Sequence, residues 1–339
     1  MRESLSVVGR ALALALCVAG AAAAQGQPKG QGAAQPSEGE TKAAQAVQSA
    51  ADVASAATAA QQFVKKYPKS SLRPQVARIV AGKLAAVPDP AQRATLGEQA
   101  VKVFDRPEEL DVINPVLINA YIESKRADDA FRVAAAWLEK NPEDVQGLTQ
   151  MALTGIDQAR IGNGKFVAQS QQYATKAISL IEADKRPAAT SAADWAAFKT
   201  QWLPQLYQSL GLLAYVTGDG AEARARLEKA VALGVTDPTS YALLADMTDK
   251  EYSEAASKIN AMPAGAEHDA AMQRAQEQLD KVIESYARAV ALTEGKAGFE
   301  KMHDQMLASL TSYYKYRKGS TDGMQQLIDK YKKPAGVSP

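Results

Sequence analysis

Few side chains in this sequence have the type and spacing to do chemistry. Two histidines, His268 and His303, stand in Glu-His-Asp and Met-His-Asp contexts. Neither belongs to a His-Glu-x-x-His pair or another zinc-ligand spacing, so both read as solvent-exposed helical histidines. Gly162-Asn163-Gly164-Lys165 looks like part of a phosphate loop. It lacks the first glycine at the required distance, a Ser or Thr after the lysine and a strand before it, and reads as a turn. There is no Gly-x-Ser-x-Gly elbow, and the single cysteine, Cys17, lies near the N-terminus. Asp128-Asp129 and Glu108-Glu109 fall where a hairpin turn and a helix start are expected, because carboxylates stabilise helix N-termini.

The run Tyr313-Tyr314-Lys315-Tyr316-Arg317-Lys318, with Lys330, Lys332 and Lys333 beyond it, interleaves aromatic and basic groups. Such a pattern can bind nucleic acid, glycan or acidic peptide. The preferred reading is a terminal helical hairpin with tyrosines buried on one side and a soluble cap on the other. The chain is therefore read as non-enzymatic, with no cofactor, no metal site and no nucleic-acid partner.

The elements that position these residues are helical. Hydrophobic residues make up 46% of the chain and charged ones 23%, as in folded rather than disordered proteins. Alanine dominates the apolar set, and it combines the best helix propensity with almost no bulk. Alternating β-branched segments are nearly absent, so the expected class is all-α.

Four segments are expected. Residues 1–24 read as a signal peptide, with Arg2 and Arg10 in the basic region, an apolar stretch from Ala11 to Ala23 and a small-residue cleavage site at Ala22-Ala23-Ala24. The apolar run is shorter than the roughly 20 residues a membrane-spanning helix needs. A lipoprotein cut before Cys17 fits less well, because Leu16 stands where a small residue is required. The mature chain is thus expected to be exported to the periplasm, with no transmembrane segment and no cysteine. Loss of Arg2, Arg10 and Glu3 takes the formal charge from +1 to zero, which removes any global steering toward nucleic acid or anionic membrane. Residues 25–42, rich in Gly, Gln and Pro, read as a flexible linker. Residues 43–333 read as one helical domain, and 334–339 as a disordered tail.

Within that domain, helical stretches alternate with breaks at Tyr67-Pro68-Lys69-Ser70, Pro88-Asp89-Pro90, Asn141-Pro142, Gly162-Asn163-Gly164, Gly218-Asp219-Gly220, Asp237-Pro238 and Lys318-Gly319-Ser320. In one segment Tyr207, Leu210, Gly211, Ala214, Gly218, Ala223, Leu227 and Ala230 follow one another; in another Asn114, Leu117, Ile118, Tyr121, Ala130, Ala134, Trp137 and Pro142 do. On these residues the chain resembles the tetratricopeptide repeat family, a helix–turn–helix unit of about 34 residues. Leu148, Met151, Ala152 and Gly155 look like a following first helix. Weaker echoes are Ala56, Ala60, Phe63 and Pro68; Tyr241, Leu244 and Ala245 with Val282, Tyr286 and Ala289; and Leu307, Leu310 and Tyr314 with Met324, Ile328 and Tyr331. The resemblance implies a solenoid of stacked hairpins, with irregular insertions between Ala177 and Tyr207 and between Ala245 and Val282.

Trp195, Phe198 and Trp202 lie in the first insertion at helical spacing, on one face of an extended helix ahead of Pro204. Packing that seals a long hairpin is preferred over an exposed ligand-stacking strip. The second insertion is read as a loop from Ala261 to His268, followed by a partly solvated helix from Ala270 to Leu292 with charges on most sides.

The resemblance also implies a partner-binding groove lined by first helices. Carried over by position, its candidates are Asn119, Glu123, Gln150, Gln208, Tyr215, Asp246 and Asp249. The lysines that clamp a terminal carboxylate in some relatives are missing, since Pro115, Thr149 and Gln208 stand there. Phe63-Val64-Lys65-Lys66-Tyr67-Pro68-Lys69-Ser70 also resembles repeat proteins of envelope assembly. The expectation is a scaffold for protein–protein contacts in a bacterial cell envelope, binding a protein or peptide. The alternative is a glycan or small-solute module using an aromatic surface.

Overall fold

The computed structural model describes residues 35–332, so the signal-peptide, Cys17 and 334–339 expectations lie outside the described residues. Among the described residues there are fourteen α-helices, one short 3-10 turn and no strand. They divide into two compact units, one ending at Gly147 and the other starting at Leu148, within the segment expected as one helical domain.

The first unit holds α1 (Glu38–Ser49), α2 (Val53–Lys66), α3 (Arg73–Ala85), α4 (Pro90–Val103), α5 (Pro107–Glu123) and α6 (Ala127–Lys140). Helix α1 begins inside the segment read as linker. Ser37 Oγ accepts from the Glu40 backbone amide while the Glu40 carboxylate accepts from the Ser37 amide. This reciprocal cap satisfies two backbone donors that would otherwise need water. Val47 of α1 is fully buried, which anchors the helix to the unit. Helices α2 and α4 start under the side chains of Asp52 and Asp89, the latter followed by Pro90 at the first helical position. The core combines Phe63, Val76, Val80, Leu84, Phe104 and Ile113 with alanines at the crossings.

The second unit contains most of α7 (Val145–Arg160), then α8 (Val167–Glu182), α9 (Ala192–Thr217), α10 (Gly220–Ala232), α11 (Thr239–Asn260), α12 (Ala266–Thr293), α13 (Glu300–Lys318) and α14 (Met324–Lys332). Helix α9 is the extended helix expected from its sequence, with Pro204 inside it. It ends at Gly218, whose φ of 86° is the left-handed conformation a glycine adopts without cost.

Both segments that carry the repeat resemblance are helical hairpins. In α5 and α6, Leu117, Ile118, Tyr121, Ala130 and Ala134 are buried. In α9 and α10, Gly211 brings the backbones together: a Cβ built on it would lie 2.7 Å from Leu227 Cγ. Gly97 of α4 leaves room for the Leu117 side chain of α5, whose Cδ1 would lie 2.8 Å from an added Cβ.

Three local expectations change. The loop after α11 is short, and α12 starts at Ala266 rather than Ala270. Helix α12 is also the centre of the second core, since Leu279, Val282, Ile283, Tyr286 and Val290 are buried against α11, α13 and α14. Its first turns, residues 266–274, are exposed or half-buried, as expected of a partly solvated helix. The last helix packs mainly on α12 rather than on α13, the neighbour expected from the sequence.

Candidate partner-binding surface

The groove candidates fall into the two units, and within each the structure ties most of them to their own chain. In the first unit, Asn119 Nδ2 donates to Glu123 Oε1 at 2.9 Å. Glu123 Oε2 accepts from Arg93 Nη1 at 2.8 Å, and Arg93 also donates to the Val87 carbonyl from Nε and Nη2. The guanidinium fork thus bridges the loop before α4 to the end of α5, a geometry a lysine does not reproduce. Both Asn119 and Glu123 are half-buried.

In the second unit Gln150, on α7, is half-buried. Gln208 departs from the groove expectation. It is 5% exposed, and its Nε2 has no hydrogen-bond partner among the described residues. Leu206, Tyr207, Gln208, Ser209, Leu210 and Gly211 are all buried in succession, because α8 and α10 enclose α9 along this stretch. A helix covered on more than one side has no polar face to offer.

Tyr215, Asp246 and Asp249 are brought into a phenol–carboxylate cluster. Tyr215 donates to Asp246 Oδ2 at 3.0 Å, linking α9 to α11. Asp249 Oδ2 accepts from the Tyr286 hydroxyl at 2.6 Å, and Oδ1 accepts from the Tyr313 hydroxyl. The Tyr286 and Tyr313 rings stack with centroids 6.1 Å apart, and Tyr252 meets Tyr313 edge-on at 5.9 Å. Burial, then the hydrogen bond to Asp249, pushes the Tyr313 hydroxyl up to about 12 and also raises that of Tyr286. Desolvation and a nearby carboxylate both penalise the phenolate, so these hydroxyls act as donors. The cluster braces α11, α12 and α13 together.

The aromatic strip of α9 is packed rather than displayed. Trp195 is 4% exposed, stacks on Phe198 at 5.5 Å and donates its indole N–H to Asp184 at 2.8 Å. Lys199 meets the same carboxylate at 2.7 Å. These two hydrogen bonds, that of the lysine first, hold the Asp184 carboxyl below the usual range. Phe198 and Trp202 are half-buried. In the terminal basic run, Tyr314 is buried and donates to the Asp322 carbonyl, Arg317 pairs with Asp280, and Tyr316 is 74% exposed. Of the histidines, His303 is half-buried with Nδ1 3.1 Å from the Thr293 hydroxyl, closer to the core than expected.

One concavity was not foreseen from the sequence. A groove of about 560 Å³ opens between α10, α11 and α12, with Val231, Ala232 and Leu244 among its apolar lining. Arg224, Lys281 and Arg288 face Glu228, Glu251 and Glu284 around it. The available signal was the spacing of Gln278, Lys281 and Ser285 along α12, which places them on one side of the helix.

Taken together, fold and site define an all-α protein built from consecutive helical hairpins. No family model matches the chain, and no curated protein matches it at a significant level. Among solved structures it is similar to a tetratricopeptide repeat protein from Parabacteroides merdae, at 13% identity and a TM-score of 0.38, covering 87% of this chain and 98% of that one.

Proposed function

We propose that this chain is a non-enzymatic helical-hairpin scaffold that holds a protein or peptide partner and acts in a bacterial cell envelope after export. The observation that carries the reading is the way the hairpins close. Gly211 lets α9 and α10 pack at backbone distance beside Leu227, and Gly97 leaves room for the Leu117 side chain where α4 meets α5. That device builds stacked helical layers whose outer faces remain for partners. The polar candidates support the same reading, because Glu123, Asp246 and Asp249 each brace neighbouring helices.

Export rests on the composition of residues 1–24 alone. The scaffold reading is tested by expressing the chain from Gln25 onward and crosslinking it in envelope extracts under several growth conditions. A partner recovered reproducibly supports it; no reproducible partner overturns it. Export is tested by the mass of the full-length product recovered from the periplasm, where a chain that retains residues 1–24 would contradict cleavage.

A further inference from the structure

One face of the second unit joins tyrosine rings to carboxylates that no cation neutralises. Among the described residues, the partners of Asp246 and Asp249 on α11 are neutral hydroxyls: Tyr215 for Asp246, and Tyr286, Tyr313 and Ser253 for Asp249. A hydroxyl satisfies a carboxylate's hydrogen bonding without cancelling its charge. Asp246 is exposed, and only its Oδ2 is taken up. Lys250, one turn further on, is exposed and forms no ion pair with either aspartate, so two carboxylates against one lysine leave this side of α11 negative. The aromatic surface continues from Tyr313, where Tyr252 meets it edge-on and the Tyr252 hydroxyl interacts with that of Tyr316. Tyr316 is 74% exposed, more than any other large hydrophobic side chain among the described residues. Helical spacing puts the uncharged Gln305, Ser309 and Ser312 on its side of α13 and turns Lys315 and Lys318 away, while Arg317 is held by Asp280.

We infer that this face binds an arginine-bearing, basic segment of a partner protein, with one guanidinium at Asp246 and another stacked on the Tyr316 ring. The inference rests on the scaffold reading and names the chemistry of its partner. The tyrosines divide the work. Tyr286 and Tyr313 hold Asp249 between the helices, whereas Tyr316 presents its ring to solvent. A planar guanidinium suits both offered groups, because it donates to a carboxylate and also stacks on an aromatic face. Tyrosine anchors protein contacts well, since a large rigid ring is covered at small cost in side-chain entropy. The negative charge decides between occupants. An acidic segment would be repelled, and an apolar one would strip water from Asp246 without replacing it.

The test uses the full chain and fluorescence anisotropy with three labelled peptides of equal length. One is built from Gly, Ser and Arg; the second replaces Arg by Gln; the third replaces it by Glu. The arginine peptide should bind most tightly and the glutamate peptide least. Asp246→Asn keeps an acceptor for the Tyr215 hydroxyl and removes only the charge, and it should weaken the arginine peptide by about two- to fivefold. Tyr316→Ala should weaken it by about two- to fivefold through the lost ring, while Tyr316→Phe keeps the ring and the affinity. Glu139→Gln, at an exposed site in the first unit, should leave binding unchanged. Equal affinity for the glutamine peptide, or binding indifferent to either Asp246→Asn or Tyr316→Ala, overturns the inference while leaving the scaffold reading intact. Full displacement by free arginine at the peptide's own concentration would reassign the face to a small free cation and also overturn it. Absence of any crosslinked partner would instead sink the scaffold reading, whatever the peptides do.

Discussion

Gly211 on α9 and Leu227 on α10 approach so closely that a Cβ on the glycine would lie 2.7 Å from Leu227 Cγ and 3.1 Å from the Leu227 backbone nitrogen. A side-chain tip can rotate away, but the backbone nitrogen moves only if α10 moves. Gly211→Ala should therefore destabilise the second unit by about 1–3 kcal/mol from overpacking, less up to about 1 kcal/mol gained in helix propensity. Gly82 supplies the control: it is exposed on α3, and an added methyl group there would meet no described atom within 4 Å. Gly82→Ala should stabilise by about 0.5–1 kcal/mol. Urea unfolding of both variants checks the pair, and equal shifts of the same sign would refute the close-packing account.

In the first unit Arg73 and Glu109 form a buried two-pronged ion pair. Arg73 Nε and Nη2 donate to Glu109 Oε1 and Oε2 at 2.6 and 2.8 Å, with the side chains 4% and 0% exposed. Asp105 and the Pro68 carbonyl take further guanidinium donors. Arg73→Met strands a carboxylate in the interior and should cost about 3–5 kcal/mol, whereas Arg73→Met with Glu109→Leu should recover most of that loss. A double-mutant cycle by chemical denaturation measures it, and additive losses would show that the two residues do not act as a pair.

Tyrosine titration gives a pH prediction. The Tyr313 hydroxyl, and that of Tyr207 beside Glu182, are each pushed from 10.0 up to about 12, chiefly by burial. A group whose folded pKa is raised contributes stability that is complete below its unfolded pKa and is lost as pH rises through the folded value. Stability should therefore hold on the neutral side of pH 10.0 and fall between there and about 12. Asp249→Asn removes the charge facing Tyr286 and Tyr313, so their absorbance titration should move to lower pH, with a loss of about 1.5–3 kcal/mol at neutral pH. An unchanged titration curve would contradict the cluster.

Gln208 separates a core role from a groove role. It is buried and its Nε2 lacks a partner among the described residues, so Gln208→Leu should be neutral or stabilising by about 1 kcal/mol, with partner capture unchanged. Thermal unfolding and the crosslinking yield check this together. A loss of partner at unchanged stability would restore Gln208 to the binding surface.

The helices, most of their breaks and the two best hairpins were legible in the amino-acid order, because these depend on nearby residues. Helical spacing put Leu117, Tyr121, Ala130 and Ala134 on buried faces, and Gly218 marked the end of α9 through its backbone freedom. The cap at Ser37-Glu38-Gly39-Glu40 was equally local, and its serine-to-glutamate spacing could have placed the start of α1. Which polar residues remain available is instead a tertiary outcome. Periodicity identifies one covered face of a helix, but not whether a second neighbour covers the other, as α8 and α10 do around Gln208. Nor does it reveal that Asp249 is taken up by tyrosines 37 and 64 residues away, or that α14 returns to pack on α12. Those outcomes depend on which distant surfaces meet, and no local pattern encodes that choice.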